Sequence, residues 1–213
     1  MKYSFKKYQP LSLRLWHWLN ALLILGLLAT VLIRKTFLSW RTNSVVIQEK
    51  LKAAGTEITP DFAKEIAVAI RNPLWDWHIY LGYGLAALIV GRFLIAVFVE
   101  KTPIGASLWN KIVGIRALSP EEKPEATHHV LVKLGYLLFY VMTFFMVVTG
   151  LTLTFKSDLG LSKELATTIK ENHELAMWFF VGFTGLHVLG VVIAENRKDR
   201  GIISDMVHGG DID

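Results

Sequence analysis

HELAMWFFVGFTGLHVLGVV, residues 173–192, is the stretch that decides how this chain folds. From Leu175 to Ala194 run 20 residues without a formal charge, about what one helix needs to cross the hydrocarbon core of a bilayer. Nothing in the run alternates with the period of two that a strand would show. Histidine is costly at membrane depth unless it is paired or ligating, yet this run has His173 at its entrance and His187 well inside. Fourteen residues separate them, which is about 21 Å along a helix axis and within about 40° of the same face. One helical face thus presents two imidazoles, one toward each side of the membrane.

Three more runs pass the same length test. Leu15–Ile33 has 19 residues and no formal charge with His17 neutral, Trp77–Val99 has 23 with Arg92 as its single charge, and Leu134–Phe155 has 22 with none. The expected architecture is an all-α membrane protein, a four-transmembrane-helix bundle forming a single domain over 1–213, with crossings at about 15–33, 77–99, 134–155 and 175–194. An even number of crossings leaves both termini on one side. The first run ends in Leu32-Ile33-Arg34-Lys35 with no small-residue cleavage site and exceeds the roughly 7–15 residues of a signal-peptide core, so it is expected to stay in the mature protein. Six of the seven tryptophans (Trp16, Trp18, Trp40, Trp75, Trp77 and Trp178) stand near run ends, as interfacial belts require.

Composition agrees with a lipid environment. Hydrophobic residues make up 53% and charged ones 19% of the 213 residues, more apolar and less charged than soluble domains at about 45–50% and 25%. The mean hydropathy is +0.41. With no cysteine, disulfides, thiolate zinc sites, Cys-ligated iron–sulfur clusters and covalent c-type haem are excluded. A net charge of +5 would suit nucleic acid, but the basic residues are scattered over tails and loops, and no nucleic-acid partner is expected. The two sides of the membrane receive 11 and 10 basic residues. The positive-inside rule therefore barely decides orientation.

The 34–75 connector is long and charged. Thr59-Pro60-Asp61 reads as a helix start, with proline at the first helical position. Phe62, Ile66 and Ile70 then recur opposite Asp61, Lys64, Glu65 and Arg71, which predicts a short amphipathic helix on the membrane surface or against a partner. A plain extramembrane connector reads equally well. A second loop helix is expected to start near Ser162 and run into the fourth crossing.

Alternate crossings run in opposite directions, so His17 lies at the depth of His187 and His78 at the depth of His173. Two stacked His/His pairs result. Two facing imidazoles suit the axial positions of a haem iron, and the other ring nitrogen of each then needs an acceptor to fix its tautomer. Gly82 lies one turn after His78, and Gly182, Gly185 and Gly190 surround His187. Gly26 and Gly150 are expected to face inward. Each glycine leaves room for a cofactor or, on the plainer reading, for close helix packing. Arg92 follows His78 by the same 14 residues and reaches the depth of the His17/His187 pair. It either pairs with a haem propionate or snorkels to the near interface. His128 and His129 open the third crossing as a solvated edge pair or as quinone or propionate contacts. His208 reads as a tail residue.

These pieces together resemble the bacterial dihaem cytochrome b family, which takes in cytochrome b(561) proteins, b-type subunits of nickel–iron hydrogenases and gamma subunits of formate dehydrogenases. The matching segments are RLWHWLNALLILG (14–26), WHIYLGYGLAALIVGRF (77–93), LGYLLFYVMTFFMVVTGL (134–151) and HELAMWFFVGFTGLHVLGVV (173–192). The tail GIISDMVHG (201–209) looks like the ending of the hydrogenase-type members. The resemblance does not cover the 34–75 connector.

It implies two haem b groups between the helices, His17 pairing with His187 and His78 with His173. It also implies a bacterial inner membrane, cytoplasmic termini, and a quinone site near the cytoplasmic haem, around His187, His128 and His129. The activity it implies is electron transfer between a quinone pool and a periplasmic redox partner or a larger oxidoreductase of which this chain is a subunit. Two other classes stay in view: a non-redox membrane anchor or assembly subunit, and a metal-ion transporter, which lacks the intramembrane Asp or Glu that would help release a cation.

Overall fold

The computed structural model describes residues 9–95, 97–98, 119–120, 123–197 and 200–209, with the side chains of residues 95, 125 and 129 left aside. The last residues of the expected second crossing and most of the second loop's basic residues (Lys101, Lys111 and Arg116) lie outside the described residues. Among the described residues seven helices follow in order: α1 Leu11–Lys35, α2 Trp40–Ala53, α3 Pro60–Arg71, α4 Pro73–Ile95, α5 Lys123–Thr154, α6 Lys163–Asn196 and α7 Ile202–His208. The expected crossings fall mostly on α1, α4, α5 and α6, and four helical stretches are long and apolar enough to span a membrane, the second of them, Pro60–Leu94, running through α3 and α4 together. The protein is a multi-pass, all-α membrane protein.

The chain divides into two compact units, Leu19–Leu85 and Met1–Trp18 with Ala86–Asp213. In the first, α1 lies against α4 at glycines. A Cβ on Gly26 would come within 3.0 Å of Leu81, and one on Gly84 within 3.3 Å of Leu23. Gly26 therefore serves close helix packing, the plainer of its two readings.

The connector carries two helices rather than one. Thr59 caps α3 by accepting from the Phe62 amide at 3.2 Å, and Pro60 opens the helix as its motif requires. α2 packs on α3, whose fully buried positions are Ala63 and Ala67, whereas Phe62 and Ile70 are exposed. The small side chains, not the large apolar stripe, seat the hairpin. Helix axes approach most closely over alanine, so the bulky stripe is left for another surface. Gly55, with φ of 82°, reverses the chain after α2 in a conformation that only glycine adopts freely.

In the second unit α5 and α6 form an antiparallel pair joined through 155–162. Ser162 caps α6 by accepting from the Leu165 amide at 3.2 Å, as expected of that start. At 34 residues α6 is about 51 Å long, so its first turns, with the exposed Lys170–Glu174 ion pair at 3.0 Å, project beyond a core of about 30 Å.

α7 docks back on the start of α1. Arg14 Nη1 donates to the Val207 carbonyl at 3.0 Å and Trp18 Nε1 to the Met206 carbonyl at 3.1 Å. The Glu195 carboxylate accepts from the amides of Gly201 and Ile203 at 3.0 and 3.1 Å, satisfying donors that every helix start leaves open.

Large apolar side chains cover the outer faces of the crossings, among them Leu22, Phe144, Leu175 and Leu186, each more than 60% exposed. Such surface is suited to lipid tails and not to water. The threonines in these helices return their hydroxyls to carbonyls of the preceding turn, Thr143 to Phe139 at 2.7 Å and Thr152 to Val148 at 2.8 Å. That is how a hydroxyl is satisfied where no water reaches.

Candidate functional site

His17 of α1 and His187 of α6 face each other with ring centroids 6.0 Å apart and planes tilted by 54°. Two imidazoles sharing one metal through bonds of about 2 Å would have centroids roughly 6 Å apart, so the spacing suits a bis-histidine iron. His187 stacks on Phe183 at 6.0 Å with an interplanar angle of 2°, and Phe183 stacks in turn on Phe179 at 5.8 Å. These rings recur every four residues, one above another on a helix face, and the stack restricts the imidazole's rotation. Trp18 meets His17 edge-on at 5.3 Å. A Cβ added to Gly185 or Gly190 would meet nothing within 4 Å, so there is open space beside a His187 that is itself exposed.

His78 and His173 are held differently, each within its own unit. Thr30 Oγ1 lies 2.8 Å from His78 Nδ1, and Thr149 Oγ1 lies 2.8 Å from His173 Nδ1. Each threonine hydroxyl also donates to a backbone carbonyl at 2.7 Å, Thr30 to Leu27 and Thr149 to Phe145. A hydroxyl has one proton and spare lone pairs. With the proton committed to the carbonyl, the oxygen accepts, and the histidine Nδ1 must donate. Both imidazoles are thereby set as the Nδ1–H tautomer, in which Nε2 is the nitrogen that carries the lone pair.

Around these rings the packing is close. Trp75 stacks on His78 at 5.1 Å and 6°. A Cβ on Gly150 would press His173 Cε1 at 3.4 Å, whereas one on Gly82 would meet open space. Gly150 faces inward as expected, against an imidazole.

Arg92 sits half-buried in the last turn of α4. His128 is exposed near the start of α5, and the side chain of His129 lies outside the described residues. His208 ends α7. Among the described residues no three His, Cys, Asp or Glu side chains converge as ligands for a bare ion. An iron held by a porphyrin would need only two further donors, and His17 and His187 face each other within one unit.

Thr30 and Thr149 escape sequence reasoning as partners, although one signal was present. Thr30 is a hydroxyl inside the otherwise aliphatic stretch 21–33 of its crossing, at the depth assigned to His78.

Four membrane-spanning helices with imidazoles set for metal ligation define a class, the helical membrane cytochromes. The family model for prokaryotic cytochrome b561 matches residues 8–209, through both compact units, and the chain belongs to that family. No curated protein and no solved structure matches it. Family and fold together make it a transmembrane electron-transfer protein using b-type haem.

Proposed function

We propose that the chain binds two haem b groups, with His17 and His187 on one iron and His78 and His173 on the other. In this reading it relays electrons between a quinone pool and a redox partner at the opposite face of a bacterial inner membrane. The observation that carries the reading is the tautomer lock. Two histidines predicted to be ligands each have Nδ1 tied to a threonine whose own proton is spent, so Nε2 is the nitrogen that would bind iron. The 6.0 Å spacing of His17 and His187 supports the first pair. The helix register of α1, α4 and α6 supports the second.

A haem iron held by two histidines would supply one-electron transfer rather than oxygen chemistry. The chain's own residues do the rest. The four histidines bind through Nε2. Thr30 and Thr149 hold the Nδ1 protons in place, and a hydrogen-bonded Nδ1 makes each ligand more basic. Gly82 leaves room beside His78. Phe179 and Phe183 stack beside His187 and orient its ring. Arg92 offers a guanidinium to a propionate at the depth of the His17/His187 pair. Because α6 places its two histidines about 21 Å apart along the axis, the two centres span most of a core of about 30 Å.

The termini are assigned to the cytoplasm, which puts the His17/His187 centre on that side and the His78/His173 centre on the periplasmic side. The quinone is placed near His187, with His128 and His129 at its edge. Its partner across the membrane is a periplasmic redox protein or the remainder of a larger oxidoreductase.

The reduced-minus-oxidised spectrum of the purified protein, with haem counted as the pyridine haemochrome, tests the reading. Two b-type haems per chain, falling to one or none in His173→Ala or His187→Ala, are expected. Well-folded protein without haem would sink the proposal.

A further inference from the structure

Arg34 stands in the last turn of α1 and Arg71 in the last turn of α3. Part of this placement has an ordinary explanation. Arg34 Nη1 donates to the Arg71 carbonyl at 2.8 Å, at the helix end where carbonyls lack intrahelical partners and a cation is favoured. Its guanidinium also lies 5.1 Å over the Trp75 ring, a cation–π contact. Trp75 in turn stacks on His78 at 5.1 Å. The two contacts hold the Arg34 guanidinium within about 10 Å of the His78 ring centroid.

The second cation is not explained this way. The charges of Arg34 and Arg71 repel each other. Arg71 Nε is buried with no hydrogen-bond partner. Among the described residues, neither arginine has a carboxylate within ion-pair distance. A buried, unsatisfied donor on a cation beside another cation is costly. The cost is removed by an anion with several acceptor oxygens, because the planar fork of a guanidinium matches a carboxylate or phosphate in two places at once.

The geometry points to an oxyanion site made by Arg34 and Arg71 that takes a haem carboxylate on the His78 side. This rests on the proposal that His78 is an iron ligand. α1 gives the site its register. Thr30, one turn before Arg34 on the same face, bonds His78 Nδ1 at 2.8 Å, so a single helix face offers a hydroxyl to the ligand and a guanidinium beside it. A haem presents paired carboxylates on one edge, and two arginines side by side are their complement. Arg34 and Arg71 thus play, at the His78 centre, the part assigned to Arg92 at the other. A phospholipid headgroup offers the same oxyanion chemistry, and the test separates the two sources.

Redox titration of the purified full chain in lipid nanodiscs, with haem counted in parallel, provides the test. Arg34→Gln/Arg71→Gln is compared with Arg34→Lys/Arg71→Lys, and the wave of the His78 centre is identified as the one lost in His78→Ala. Removing both charges leaves a carboxylate uncompensated and favours ferric iron. The Gln variant should therefore lower the midpoint of that wave alone, the Lys variant should fall between it and the unmodified protein, and the shift should be the same in phosphatidylcholine with or without phosphatidylglycerol. Loss of that haem from the Gln variant but not from the Lys variant would equally support the site.

Two retained haems at unchanged potentials would overturn it. So would a shift seen only with the anionic lipid, which would assign the pair to a headgroup. Loss of haem from both variants alike would make the pair a structural part of the connector and also overturn the site. An unmodified protein without haem would instead remove the functional proposal beneath it, and the haem count tells the two failures apart.

Discussion

The two ends of α6 present histidines under opposite kinds of control. At His173, as at His78, a threonine hydroxyl fixes which nitrogen carries the proton, through a bond of 2.8 Å. At His187 ring stacking with Phe183 at 6.0 Å fixes the plane of the imidazole, and the ring remains exposed beside open glycines. A hydrogen bond to Nδ1 sets ligand basicity and tautomer. Stacking sets orientation. In the proposed reading one fold thus gives its two centres different chemical settings from the same residue type.

The largest effect that breaks the comparison comes from the ligands themselves. His78→Ala should cost the chain one of two haems and leave the His17/His187 centre spectrally intact, as read by the haemochrome count. Loss of both would mean that the two ends are not independent.

A smaller effect is expected from Thr30→Val and Thr149→Val. Each keeps the side-chain shape and leaves Nδ1–H without its acceptor, so the ligand becomes less basic. The midpoint of one haem should rise and its affinity should fall by about 10–100-fold, the usual cost of losing such a partner. Thr→Ser at either position should restore both. A midpoint that stays put with valine would show that the hydroxyl does not control the ligand.

Phe183→Ala should be milder still. Haem content should hold while the low-spin ferric g-values of the His187 centre broaden, because the imidazole gains rotational freedom. Identical spectra before and after would remove stacking as the orienting device.

The smallest effect is expected from Glu195→Gln, remote from both centres. Amide exchange at Gly201 and Ile203 should quicken a few-fold with no change in haem count, because a neutral amide is a weaker acceptor than a carboxylate.

Much of this was legible in the chain. The four crossings follow from run length and charge, and the depth of each histidine follows from a rise of about 1.5 Å per residue. The caps at Thr59 and Ser162 announce themselves as well. α2 was harder to see, because Trp40–Ala53 is polar on most faces and its stability comes from packing on α3. The stripe of Phe62, Ile66 and Ile70 marks the face left for a membrane surface or a partner, and hydrophobic periodicity does not reveal that Ala63 and Ala67 are where α2 comes closest. Thr30, Thr149 and the Arg34/Arg71 pair depend on which residues of separate helices meet. Periodicity within one helix carries no such information.

The bonds from Arg14 to the Val207 carbonyl and from Trp18 to the Met206 carbonyl have a consequence in time. Residues 14 and 18 leave the ribosome early, and residues 206 and 207 follow only after about 190 others have been made. The segment bearing His17 therefore lacks these two bonds until α7 has been made. Thr30 and His78, separated by 48 residues, meet far sooner. Biogenesis has a direction in this protein: the segment bearing His17 is made before the Thr30–His78 pair but receives its bonds from α7 after that pair has met.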